Sequence, residues 1–95
     1  MARKNGSVSK ATAGEVAAYS GLYPLSHWVV VDGQRCAVEF CGIAPYRDDP
    51  RYEVMLPKGS HAAYEWLHTL LCYNLRDVRE LCEGIKLVPC DEDCE

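Results

Sequence analysis

The chain has 95 residues and a formal charge of −4, with 10 Lys or Arg against 14 Asp or Glu. That length fits one domain with a modest core, and no apolar run approaches the roughly 20 residues that span a bilayer. The acidic balance disfavours phosphate-backbone binding, which depends on Lys and Arg to neutralise phosphates. The charge is also uneven: Arg3, Lys4 and Lys10 make the start basic, whereas Asp91, Glu92, Asp93 and Glu95 crowd into the last five residues.

No apolar segment follows the basic start, so a secretory signal is not expected. Cytoplasmic residence and reduced thiols are. Residues 1–8 read as a flexible lead-in, 9–89 as a single α+β domain and 90–95 as an acidic tail. Thr12-Ala13-Gly14-Glu15 is a capping box, in which hydroxyl and carboxylate each satisfy the other's backbone N–H; it opens a short helix through Tyr19, closed by Gly21 and Pro24.

Trp28-Val29-Val30-Val31 has strand character and is followed by Asp32-Gly33, a hairpin turn signal. Gln34 to Cys41 returns as the partner strand. Pairing across a loop of either two or four residues puts Val29, Val31, Cys36, Val38 and Phe40 on one face, and Trp28, Val30, Arg35, Ala37 and Glu39 on the other; a three-residue loop would shift the register. Residues 42–51 read as a loop from their prolines and paired charges. Tyr52 to Leu56 alternates as a third strand, and Ile85 to Val88 suggests a short closing strand.

Between them, residues 60–84 carry Ala63, Leu67, Leu70, Leu71, Leu75, Val78, Leu81 and Cys82 on one helical stripe. Ser60 is placed to cap and Gly84 to terminate. The expected fold is therefore α+β: an antiparallel sheet of three to four strands, packed by one long C-terminal helix, with a short N-terminal helix.

Six cysteines are the oddest feature of the composition. A zinc site would need four converging ligands, and Cys36, Cys41, Cys90 and Cys94 are the set with the best spacing. That spacing is not the tight knuckle, and Cys36 points into the core in this register, so mostly free thiols and no metal or cofactor are expected. Cys90–Cys94 is the nearest local disulfide pair. His61, Glu65, His68 and Cys72 share one helix face, but there His61 and His68 stand about 10 Å apart, too far for one ion; a solvated polar face is expected. No nucleophile elbow, phosphate-binding glycine loop or specified Cys–His pair is present, so no catalytic role is expected.

The α-β-β-β-α order is similar to that of double-stranded-RNA-binding domains. The lysine cluster opening that family's second helix is missing, however: Ser60-His61-Ala62-Ala63 has only Lys58 nearby. Direct nucleic-acid binding is accordingly not expected. Trp66 and Tyr73 lie off the apolar stripe, and Trp28 off the sheet's core face; large aromatics in such places mark interfaces. The expected function is that of a small acidic interaction protein that occludes a surface on a larger, possibly basic, protein partner, or that dimerises. Trp66 and Tyr73 would anchor it, with Asp77, Glu80, Trp28 and Tyr46 contributing. In composition the chain is similar to small inhibitors from phages and mobile elements, anti-CRISPR proteins among them. A zinc-stabilised regulatory or nucleic-acid-binding module is the alternative, and a thiol enzyme the third.

Overall fold

The computed structural model describes residues 4–43, 50–63 and 66–90. Its elements are β1 (Val8–Lys10), α1 (Ala13–Ala18), β2 (Leu25–Val31), β3 (Gln34–Ile43), β4 (Pro50–Met55), β5 (Ser60–Ala62), β6 (Thr69–Cys72), α2 (Leu75–Gly84) and β7 (Leu87–Pro89). The fold is α+β and antiparallel, with five strands in the order β1-β2-β3-β4-β6 and a separate β5–β7 pair. No helix among the described residues is long and apolar enough to cross a membrane.

The hairpin forms in the expected register. Asp32 and Gly33 both take positive φ, 49° and 83°, the twist-matched geometry of a two-residue turn. Val29 then lies opposite Cys36 and Val31 opposite Gln34, and Val29, Val31, Cys36 and Val38 are all buried. The capping box closes as well: Thr12 Oγ1 accepts from the Glu15 N–H at 3.1 Å, and Glu15 Oε1 from the Thr12 N–H at 2.9 Å.

Residues 60–84 depart from expectation. There is no single long helix; β5 and β6 replace its first half, and only Leu75–Gly84 is helical. Thr69, Cys72, Tyr73 and Asn74 are all mediocre helix formers, and the outer edge of β4 lacks a partner until β6 supplies one. Burial there has period two rather than 3.6: Leu70 and Cys72 are buried, while Leu71 between them is 50% exposed. Asn74, not Ser60, caps the helix, its side chain accepting from the Asp77 N–H at 2.8 Å. Ser60 instead donates its hydroxyl to the Pro57 carbonyl. The solvated histidine face is corrected with the helix: His61 and Cys72 are buried, and Glu65 lies outside the described residues.

Two further strands enlarge the sheet system. The lead-in is tied down from Gly6 onward, where the Gly6 N–H donates to the Val30 carbonyl and the Val30 N–H to the Ser7 carbonyl; β1 then pairs with β2. The closing strand exists, but it pairs with β5 outside the main sheet.

α2 crosses one face of the sheet, packing Val78, Cys82 and the following Ile85 against Val29, Val38, Val54 and Leu70. On the opposite face α1 covers only the region of Trp28 and Glu39. Glu39 is 1% exposed; it accepts a hydrogen bond from the Tyr19 hydroxyl.

Candidate docking groove

Beside the outer edge of β6 runs an open groove of about 430 Å³, lined by Leu71, Cys72, Tyr73, Asp77, Glu80 and Leu81. One wall is the end of β6, and the other is the first half of α2. The Asn74 cap fixes how one follows the other, because it is the one residue between Tyr73 and the start of α2. The groove thus unites Tyr73, Asp77 and Glu80, three of the residues singled out from the sequence. It adds Leu71, which the helical reading had assigned to the core. Arg76 Nε reaches Glu80 at 3.6 Å, an exposed i,i+4 pair; such pairs contribute little.

The remaining candidates lie elsewhere. Trp66 is 68% exposed, with its ring 4.3 Å from the His61 ring. It precedes β6 whereas Tyr73 follows it, so the length of that strand, roughly 13 Å, separates the two. They do not form one stacked pair.

Trp28 is held within the molecule. Its indole N–H donates to Glu15 Oε1 at 3.1 Å, and the Arg35 guanidinium sits 4.0 Å over its ring while pairing with Glu15 at 2.9 Å. The backbone N–H of Thr12, then Arg35 and Trp28, hold the Glu15 carboxyl down at about 2. The N-terminal helix therefore partly covers this aromatic. A second hollow, about 380 Å³, flanks it between Ser7, Ser9, Val30 and Arg35. Tyr46 lies outside the described residues.

Among the described residues, the cysteines of the proposed four-ligand set do not converge. Cys36 is buried on the core face, Cys41 lies beside Glu53 and Glu39 of the opposite face, Cys90 is disulfide-bonded, and Cys94 is outside the described residues. No group of three or more His, Cys, Asp or Glu among the described residues is placed to hold a metal. Burial pushes Cys36 and Cys72 up to about 11 and Cys82 up to about 12. Cys41 is raised too, by burial and then by Glu53. An attacking cysteine has the opposite character, a lowered pKa and access to solvent.

Sequence reasoning missed Leu71 and the free strand edge beside it. The available signal was the polar and β-branched break at Thr69, Cys72 and Asn74, which interrupts a run otherwise suited to a helix. Comparison with known proteins finds no matching family model, no matching curated protein and no matching solved structure.

Proposed function

We propose that this protein is a small acidic interaction module that binds a larger protein partner through the β6–α2 groove and occludes the surface it covers. The observation that carries the reading is the convergence of Tyr73, Asp77, Glu80 and half-exposed Leu71 on one groove. An aromatic anchor beside apolar area, rimmed by like charge, is the usual anatomy of a recognition patch. The acidic rim favours a basic partner surface and speeds encounter with it. Among the described residues Cys36, Cys72 and Cys82 are buried, which suits them to packing. Inhibitors from phages and mobile elements, anti-CRISPR proteins among them, remain the compositional parallel, and occlusion of a basic nucleic-acid-binding surface is the corresponding mode of action.

A photo-crosslinking residue placed at Tyr73, compared with one at Leu22, tests the reading. Leu22 is 83% exposed and does not line the groove. Adducts to a discrete protein from position 73 alone, lost when Asp77 and Glu80 are both changed to Lys, are expected. Equal labelling from both positions would overturn it.

A further inference from the structure

Strand β6 ends the main sheet, and among the described residues no strand pairs with its outer edge. The phase of the ladder says which groups face outward. Leu56 N–H donates to the His68 carbonyl at 3.1 Å, and in that register Val54 and Tyr52 stand opposite Leu70 and Cys72. Hydrogen-bonded residues alternate along an antiparallel pair. His68, Leu70 and Cys72 therefore bond inward to β4, and the N–H and C=O groups of Thr69 and Leu71 point away from the sheet. A row of such groups is a template for another strand.

The flanking side chains specify what kind of strand. Among the described residues, Asp77 and Glu80 are the charged side chains that line the groove beside this edge; Arg79 lies, together with Glu80, along a separate hollow against Gly6 and Ser7. Leu71 lines the same groove at the strand edge, and its half-exposed apolar side chain alternates with the buried Leu70 and Cys72, so it lies toward the other face of the sheet. We propose that the β6 edge is a strand-docking site for an extended segment of a partner protein. Alternate residues of that segment are Lys or Arg, directed toward Asp77 and Glu80, and those between are apolar, lying beside Leu71. The proposal rests on the interaction reading above and gives its partner a chemistry. Main-chain bonds supply affinity in this mode, and alternate side chains supply specificity.

A second copy of the chain fits this edge less well. Two β6 strands pairing antiparallel would be related by a two-fold axis perpendicular to the sheet. Both α2 helices would then lie on the same side, with Asp77 and Glu80 of one facing the same residues of the other. Like charges so placed oppose association.

The test is amide hydrogen exchange and binding of the full chain with a synthetic peptide of about eight residues alternating Lys with Val. Slowed exchange at Thr69 and Leu71 on binding is expected, with affinity that falls as salt is raised. N-methylation of the peptide's alternate amides on its pairing edge should weaken binding about tenfold or more, by loss of several hydrogen bonds. Leu71→Pro removes an outward donor while sparing the inward ladder, and should weaken binding about fivefold. If N-methylation and Leu71→Pro change nothing while Asp77→Lys with Glu80→Lys abolishes binding, the strand-docking proposal fails and the acidic groove reading survives. Absence of peptide binding overturns the proposal without touching the crosslinking result at Tyr73. Protection of Thr69 and Leu71 that grows with protein concentration, without peptide, would overturn it in favour of a second copy.

Discussion

Leu70 and Leu71 give the sharpest test of how residues 60–84 fold. On a helix both leucines belong to the apolar stripe, so truncating either should be costly. In the sheet they point to opposite faces: Leu70 is 2% exposed beside Val54, and Leu71 is 50% exposed. Leu70→Ala removes three buried carbons from a packed site, and the lost transfer energy plus the residual cavity come to about 3 kcal/mol. Leu71→Ala removes the same atoms from a half-hydrated position, which amounts to about 1 kcal/mol or less. For a domain of this size each kcal/mol lowers Tm by about 4–8 °C. Calorimetry or thermal circular dichroism should thus show a drop on the order of 15 °C for Leu70→Ala and about 5 °C for Leu71→Ala. Equal losses, or a larger loss at Leu71, would refute the strand assignment and restore the helical stripe.

Three other outcomes follow from the same geometry. Gly6→Ala should destabilise by about 2 kcal/mol in urea unfolding, because Gly6 has φ of 83° and a Cβ there would stand 2.7 Å from the Arg79 carbonyl oxygen; a neutral result would mean that the N-terminal segment does not dock. Glu15 has its carboxyl held down at about 2 from an ordinary 4.5, so its contribution to stability is present above pH 4.5 and is lost as pH falls toward 2; acid titration followed by Trp28 fluorescence, in a Trp66→Phe background, should show that loss, and Glu15→Gln should remove the step. Under native conditions a mild alkylating agent should label Cys41, which is half-buried, well before Cys36, Cys72 and Cys82; rapid labelling of any of these three, read by mass spectrometry, would contradict their burial.

The parts of this fold that were legible in the sequence are those fixed by short-range chemistry. Thr12 and Glu15 cap α1 through groups three residues apart, and Asp32-Gly33 needs only its own backbone preferences to set the register of β2 and β3. With that register came the correct inward set of Val29, Val31, Cys36 and Val38. The split of residues 60–84 was not legible in the same way. Its decisive term is the pairing of Thr69–Cys72 with β4, a contact formed across the fold. Local apolar spacing there satisfies a helix and a strand almost equally, since Leu70 and Leu71 are adjacent and either period can use one of them. Tertiary pairing then outweighs weak local propensity.

Three of the candidate residues lie together for a reason that can be traced to spacing. Tyr73, Asp77 and Glu80 stand at i, i+4 and i+7, and α2 begins so soon after Tyr73 that this spacing still aligns them along one groove. Trp66 and Tyr73 were also linked by helical arithmetic, but β6 lies between them and an extended strand destroys the alignment. The strand that lies between the two aromatics also creates the outward-facing N–H and C=O groups of Thr69 and Leu71. A helix over residues 60–84 would have satisfied those groups internally and left only side chains to recognise a partner. The recognition chemistry proposed for this protein therefore depends on β6 being a strand, so a failure of the Leu70–Leu71 comparison would remove the docking edge together with the fold assignment.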